Sequence, residues 1–327
     1  MPRADRGGAA MKFARLVVLA IVAFPTGGFA EWPDKPIHVI VPFAAGSGTD
    51  AVARTVLEPV ARALKQTLLI ENKPGGGGTF GASQVAKSTP DGYTLLVQSA
   101  GHIANPALYV NLDYDTARDF AGVTPLASLP NVLVVSPAKG YKSLRDLVEA
   151  AKSRPGALGY ASARNDSVTR VNAEIFRRSA RFEARHVPFE ATPEAIEEVA
   201  RGRVDFCFVP LTSALPLIKQ GRLLALAVGT PRRWPLLRDV PTMAEAGYKN
   251  PDYGFWVALL MPATTPRAIV EKLNAVVVTA LSSDDLRKRL AELGAEPMPM
   301  KPTAFDAFLK GEIARVGSMA KEAGIEP

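Results

Sequence analysis

Short apolar runs of strand length alternate with stretches of helical periodicity along most of the chain after residue 30. Strands separated by helices are typical of parallel sheets covered by helices, so this alternation predicts an α/β fold. The strands are predicted at Ile37 to Phe43, Thr67 to Glu71, Tyr93 to Gln98, Val132 to Val135, Leu158 to Ala161, Ala184 to Val187, Val204 to Phe208, Leu223 to Val228 and Phe255 to Leu260. The helices are predicted at Asp50 to Leu64, Thr79 to Lys87, Ser143 to Ser153, Asp166 to Arg178, Thr192 to Gly202, Ser213 to Gln220, Pro266 to Leu281 and Pro302 to Ala323.

The order of these elements indicates two α/β lobes. We expect one lobe to hold residues 31–131 and 256–327, and the other to hold residues 132–255. The chain would then cross between the lobes near Leu129 to Val135 and again near Gly254 to Leu259. Two such crossings form a hinge, and a ligand would bind in the cleft between the lobes.

Residues 1–30 have the three regions of a secretory signal peptide. Basic residues precede an apolar run from Leu16 to Phe24, and small residues at 28–30 suit a cleavage site. The apolar run is about half of the ~20 residues that cross a bilayer, which favours cleavage over a retained anchor. We therefore expect a periplasmic protein that begins near Glu31, with translation starting at Met1 or Met11.

Charge and cysteine content exclude several classes of protein. The net charge is +7, but residues 1–30 hold four basic residues and one acidic residue, so the remainder carries about +4. A mild and interspersed charge does not predict a nucleic-acid partner. The single cysteine, Cys207, lies in an apolar run, where we expect it to pack as a small hydrophobic residue. No spacing of His, Cys and carboxylate residues predicts a metal site, and no cofactor is expected.

The segment from Pro42 to Asp50 predicts a cradle for an anion. Its small residues would let a ligand approach the backbone, and the helix that follows would present unpaired N–H groups and a partial positive charge. The alternative is an ordinary strand-to-helix turn with Thr49 or Asp50 as its cap. Similar polar loops follow later strands, at Ser99 to Pro106 and at Ser162 to Ser167.

Two other features would suit an enzyme. Residues 76–81 have the spacing G-x-G-x-x-G, but no acidic residue follows the next strand as in a dinucleotide site, so we interpret this segment as a flexible loop. A catalytic hypothesis would use His102 as an acid or base, with Ser99 or Asp50 as its partner. No G-x-S-x-G segment and no activated nucleophile accompany His102, which favours a polar loop residue that contacts the ligand or the backbone.

Five longer motifs are distinctive: WPDKPIHVIVPFAAGSGTD, ENKPGGGG, TPDGYTLL, DFAGVTPLASLPNVLVV and DVPTMAEAGY. They resemble the solute receptors of tripartite tricarboxylate transporters, often called Bug proteins, and the resemblance covers essentially all of Glu31 to Pro327. It implies a type II periplasmic-binding-protein fold and a monomer whose lobes close on a small organic acid or an amino-acid-like ligand. It also implies delivery of that ligand to the permease subunits of a membrane transporter, or to a sensor kinase.

The resemblance also implies where the ligand binds. By position, the ligand loops of the family fall on residues 43–50, 99–105, 162–167 and 188–192, and one carboxylate is gripped largely by backbone groups and ordered water. The expected ligand-binding residues are Phe43, Ala44, Gly46, Ser47, Thr49, Asp50, Ser99, Gly101, His102, Asn105, Ser162, Ala163, Arg164, Asn165, Asp166, Ser167, Phe189 and Thr192.

Three segments depart from the common pattern of that family. Many members read YASSGNGT where this chain reads YASARNDS, which places Arg164 and Asp166 in a ligand loop. A frequent Lys-Gly pair is replaced by Glu190 and Ala191, and FDNLPSAL becomes FVPLTSAL. The identity of the ligand therefore stays open, and two functions are carried forward: a receptor for a carboxylated solute, and an exported enzyme that uses His102.

Overall fold

Two β-sheets, both packed against helices, organise the chain from Trp32 onward. The structure is a computed structural model and describes residues 1–2, 32–163, 167–248 and 254–322. Its strands are β1 (Ile37–Val41), β2 (Leu68–Asn72), β3 (Thr94–Ser99), β4 (Phe120–Leu129), β5 (Asn131–Val135), β6 (Gly159–Ala163), β7 (Arg185–Phe189), β8 (Phe206–Pro210), β9 (Leu224–Val228), β10 (Phe255–Pro262) and β11 (Glu296–Pro297). Its helices are α1 (Gly48–Leu64), α2 (Thr79–Ala86), α3 (Gly101–Leu108), α4 (Leu144–Ser153), α5 (Val168–Ala180), α6 (Thr192–Ala200), α7 (Leu211–Lys219), α8 (Arg267–Leu281), α9 (Asp284–Glu292) and α10 (Pro302–Glu322). The predicted α/β class is confirmed.

The two sheets use different parts of the chain. The first sheet has the strand order β11-β4-β10-β3-β1-β2, and the second has the order β7-β6-β8-β5-β9. Only Pro130 separates the end of β4 in the first sheet from the start of β5 in the second. The chain returns to the first sheet between β9 and β10. The predicted lobe boundaries themselves stay a prediction.

Both sheets are mixed, so the expectation of parallel sheets is only partly right. β1 is parallel to β2 and β3, and β6 is parallel to β7 and β8. In contrast, β10 is antiparallel to β3 and β4, and β5 is antiparallel to β8 and β9. Two parallel neighbours in one sheet must be joined by a crossover connection. The chain reaches β5 and β10 from the other sheet, without such a crossover, and these two strands are the ones that run antiparallel to their neighbours.

Four elements were not predicted from the sequence: β4, α3, α9 and β11. Pro125 obscures β4, because proline disfavours an internal strand, but here it lies between two register shifts in the pairing with β10. Helix α3 has no side-chain cap at Ala100 and contains Pro106, so its sequence is typical of a loop.

The first sheet packs against one buried core, and the second sheet packs against two buried hydrophobic clusters. In the first, Ile37, Leu57 and Leu95 are buried, and in the second Tyr160 and Phe206 are buried. Cys207 is a buried free cysteine, as predicted, and burial raises the pKa of its thiol. No described helix has both the length and the apolar character needed to cross a membrane. Apart from residues 1–2, the predicted signal peptide lies outside the described residues.

Candidate ligand-binding site

A cavity of about 150 Å³ lies between elements of the two sheets. This volume is below the ~300 to 1,000 Å³ of sites for drug-sized ligands, so the cavity suits a small solute. The lining residues on the side of the first sheet are Pro42, Phe43, Ala44, Ser47, Gly48, Thr49, Pro74, Gly75, Gly77, Gly78, Ser99, Gly101 and Phe255. Those on the side of the second sheet are Ala163, Ser167, Thr169, Glu190, Ala191, Thr192, Pro193, Pro210 and Ser213.

The first turns of several helices from both sheets meet at this cavity. Lining residues in these turns are Thr49 of α1, Gly101 of α3, Thr169 of α5, Thr192 of α6 and Ser213 of α7. A helix N-terminus carries a partial positive charge and backbone N–H groups without partners inside the helix. Their convergence makes the cavity favourable for an anion, although no Lys, Arg or His is among the described lining residues.

The start of α1 has N–H groups available for such an anion. Ser47 caps this helix: its Oγ accepts from the N–H of Asp50 at 3.3 Å, and its carbonyl accepts from the N–H of Ala51 at 2.9 Å. Among the described residues, the N–H groups of Gly48 and Thr49 make no hydrogen bond. Because both residues line the cavity, these two donors can hold a carboxylate.

Asp50 fixes the loop that precedes α1 and does not line the cavity. Its side chain accepts hydrogen bonds from the N–H of Gly46 at 2.9 Å, from Arg54 Nε at 3.0 Å and from Asn72 Nδ2 at 2.8 Å. Asn72 Nδ2 also donates to the carbonyl of Phe43 at 3.1 Å. Burial alone would raise the pKa of the Asp50 carboxyl, but these hydrogen bonds hold the pKa below its ordinary value. Gly46 has a φ of +78° and lies outside the lining set, so its part is to shape the turn.

His102 is the second residue of α3, and it does not line the cavity. Its ring is stacked on Tyr114 with ring centroids 6.0 Å apart, and it meets Phe120 edge to face at 4.7 Å. The residue is 0% exposed, and neither ring nitrogen has a hydrogen-bond partner among the described residues. Burial lowers the pKa of His102 to about 3. Asn105 is buried beside it and donates from Nδ2 to Tyr114 Oη at 2.9 Å.

On the side of the second sheet, the predicted loop residues divide into two groups. Ser162 is buried behind the cavity wall, with its Oγ 2.7 Å from His186 Nε2, and Phe189 packs against the core of that sheet. Ala163, Ser167 and Thr192 line the cavity. The predicted residues Arg164, Asn165 and Asp166 lie outside the described residues.

The structure therefore brings half of the predicted residues to one cavity. The predicted residues that line it are Phe43, Ala44, Ser47, Thr49, Ser99, Gly101, Ala163, Ser167 and Thr192. The predicted residues that do not are Gly46, Asp50, His102, Asn105, Ser162 and Phe189. Those six residues shape or support the expected loops, or pack into the core beside them, without reaching the cavity.

Sequence reasoning also missed part of the lining. The sequence predicts only a flexible loop at residues 75–78, but its glycines have positive φ angles and three of them line the cavity. Gly78 has a φ of +94°, and a Cβ there would lie 2.7 Å from Gln98 Nε2, so a larger residue would be strained at this position. The position of this loop after β2, next to β1 in the sheet, is the signal that could have found it.

The sequence and the fold are similar to those of several known proteins. A family model described as "Tripartite tricarboxylate transporter family receptor" matches residues 52–325. Rpa4515 from R. palustris, solved with adipate, is 35% identical, covers 91% of this chain and 100% of its own, and superposes with a TM-score of 0.86. MatC from Rhodopseudomonas palustris, solved with bound malate, is 34% identical over 88% of this chain and 99% of its own, with a TM-score of 0.81. The periplasmic binding protein BugD is 30% identical over 90% of this chain and 99% of its own, with a TM-score of 0.84.

Proposed function

The chain belongs to the tripartite tricarboxylate transporter receptor family, and from this premise we propose that it is an extracytoplasmic receptor that captures a small carboxylated solute. The observation that carries the proposal is the pair of available N–H groups of Gly48 and Thr49 at the wall of a cavity between two sheets. Two related receptors were solved with the dicarboxylic acids adipate and malate, which supports a carboxylate as the group that is held.

The solute would be bound mainly by backbone N–H groups and hydroxyl groups, and not by charged side chains. One carboxylate accepts hydrogen bonds from Gly48 and Thr49 N–H, where the partial charge of α1 favours it. Hydroxyl groups of Ser99 and Ser213 supply further donors, and the ring of Phe43 covers apolar parts of the solute. The expected residues Arg164, Asn165 and Asp166 stay part of this proposal.

Family membership also supports a proposal for delivery and location. The N-terminal signal would export the chain to the periplasm, where the monomer would present its solute to the permease subunits of a tripartite transporter or to a sensor kinase. Closure of residues 132–255 against the remainder of the mature chain would trap the solute before delivery.

The enzyme alternative has less support. His102 is buried in an aromatic cluster and does not line the cavity, and burial lowers its pKa to about 3, which favours the neutral ring near pH 7. A general acid or base must reach its substrate within hydrogen-bond distance and titrate near the working pH.

A thermal-shift screen of organic acids on the protein from Glu31 onward tests the proposal. We expect at least one small carboxylic acid to raise Tm without being converted, because a ligand at 100 times its Kd adds about 2.7 kcal/mol to the free energy of unfolding. Stabilisation by no carboxylic acid at millimolar concentration would contradict capture. Chemical conversion that stops in His102→Ala would support the enzyme instead.

A further inference from the structure

The positive charge of the chain after residue 30 is concentrated in one part of it. Residues 132–255 contain 19 Lys and Arg against 13 Asp and Glu, which gives a net charge of +6. Residues 31–131 and 256–327 together contain 16 basic and 18 acidic residues, which gives a net charge of −2. A surface with an excess of one charge attracts partners of the opposite charge, so an acidic partner would approach residues 132–255.

A second pocket lies in this basic part of the chain. It has a volume of about 360 Å³ and is formed at the C-terminal ends of α4 and α5, and we call it the α4–α5 pocket. Its walls hold four basic side chains, Lys152, Arg177, Arg178 and Arg181, and one acidic side chain, Glu183. None of these residues lines the cavity assigned to the solute, so the α4–α5 pocket is a separate feature.

Three of the four basic residues have no carboxylate partner in the described chain. Arg177 is paired, because its Nε and Nη2 donate to Glu174 Oε2 at 3.1 and 2.8 Å. Lys152, Arg178 and Arg181 are exposed and form no ion pair with a described residue. The partial negative charge at a helix C-terminus stabilises cations at these positions, but it leaves their side-chain N–H groups able to donate to an external acceptor.

We propose that the α4–α5 pocket binds an acidic segment of a protein partner, whose carboxylates are held by Lys152, Arg178 and Arg181. A guanidinium group binds a carboxylate through two parallel hydrogen bonds, and such charge-assisted bonds are stronger than neutral ones. A pocket admits a projecting glutamate or aspartate side chain, whereas the flat surface of an anionic membrane would reach only its rim. The shape of the pocket therefore favours a protein segment over a lipid surface.

Helix α5 runs from the solute cavity to this pocket. Thr169, in the first turn of α5, lines the solute cavity, and Arg177 and Arg178 lie in its last turn. A helix of 13 residues is about 20 Å long at a rise of 1.5 Å per residue. A partner in the α4–α5 pocket would thus leave the solute cavity unobstructed, and the inference does not depend on the proposed function.

Binding of a fluorescently labelled hexaglutamate peptide, measured by anisotropy at low salt, tests the proposal. We expect the peptide to bind the wild-type protein, and to bind the double variant Arg178→Gln with Arg181→Gln at least about fivefold more weakly, because two partly exposed ion pairs are lost. The matched control is Arg287→Gln with Lys288→Gln, which removes two positive charges from exposed residues of α9 that lie outside the pocket. It should bind the peptide as the wild type does.

Equal weakening in the two double variants, or no binding of the peptide to the wild-type protein, would overturn the proposal. Phosphatidylglycerol vesicles are the second probe. If they bind more tightly than the peptide, and lose that binding in Arg178→Gln with Arg181→Gln, the pocket serves a membrane surface and the protein partner is wrong. Neither result would affect solute capture, because the thermal-shift screen tests that function separately.

Discussion

His102 and Asp50 are two polar residues of the expected ligand loops that the fold buries behind the cavity, with opposite consequences. Asp50 is 3% exposed and accepts hydrogen bonds from three groups, so it stays ionised and braces the loop. His102 has no hydrogen-bond partner among the described residues and packs as an aromatic ring. Residue type and loop position predicted ligand contact for both. Their burial could not be predicted, because it depends on which elements pack over each loop.

The burial of His102 predicts an effect of pH on stability. The folded state holds its pKa near 3 while the unfolded chain has the ordinary value of 6.5, so protonation favours the unfolded state. This contribution to stability is complete above pH 6.5 and is lost as the pH falls toward 3, at up to about 1.4 kcal/mol per pH unit. His186, whose pKa burial and Arg170 lower to about 4, adds to the loss in the same direction.

We therefore expect His102→Phe to flatten the pH dependence of stability, because phenylalanine keeps the ring packing and removes the titrating group. Urea unfolding at pH 7, 6, 5 and 4 would measure the slope, and the affinity for solute at pH 7 should stay as in the wild type. Equal slopes in His102→Phe and the wild type would contradict the role given to burial.

At the scale of elements, the start of α1 carries the two backbone N–H groups that are proposed to bind the carboxylate. Thr49 is the second residue of this helix, and its N–H is one of the two donors available to a carboxylate. The first turn of a helix tolerates proline because its N–H groups lack partners within the helix, and α6 already has Pro193 at its second position. Proline at position 49 thus removes the donor while keeping the helix.

We expect Thr49→Pro to bind a carboxylate solute at least about tenfold more weakly than Thr49→Val, because a hydrogen bond to a charged group contributes ~1.5 to 3 kcal/mol. Thr49→Val is the matched variant, since it loses the hydroxyl but keeps the N–H. Calorimetry on both variants would measure the difference, with melting of the unliganded proteins as the control for folding. Equal affinities would show that this N–H does not hold the carboxylate.

Elements with one clear periodicity could be predicted from the sequence, and elements with conflicting signals could not. The first strand and helix were expected at Ile37 to Phe43 and Asp50 to Leu64, and they form at Ile37–Val41 and Gly48–Leu64. In β4, the local signal of Pro125 is overridden by pairing with β10 on one side and β11 on the other. The loops of the site were predictable because they follow strand ends. The sequence could not predict which side chains face the cavity, because their orientation depends on the packing of both sheets.

At the scale of the whole molecule, the two sheets are joined by contacts near the cavity as well as by the chain crossings. A Cβ on Gly48 of α1 would overlap Thr212 Oγ1 of α7, so these helices meet without room for another atom. Arg232, after β9, pairs with Glu296 of β11 at 3.4 Å. The first contact joins the start of α1, where Gly48 lines the cavity, to a helix of the second sheet, and the second joins β11 of the first sheet to the segment after β9.

We expect Gly48→Ala to weaken solute binding, because the added methyl group holds α1 and α7 apart. The effect should be partly reversed in the double variant Gly48→Ala with Thr212→Ala, which removes the overlapping hydroxyl oxygen. A double-mutant cycle of dissociation constants measures this coupling. Wild-type affinity in Gly48→Ala would show that the close approach of these helices is not needed for binding.

The most direct test of the central claim is a crystal structure of the protein with its tightest carboxylic acid bound. We expect carboxylate oxygens within about 3.2 Å of the backbone nitrogens of Gly48 and Thr49, in a cavity enclosed by both sheets. A ligand held elsewhere, or a carboxylate turned away from the start of α1, would contradict it.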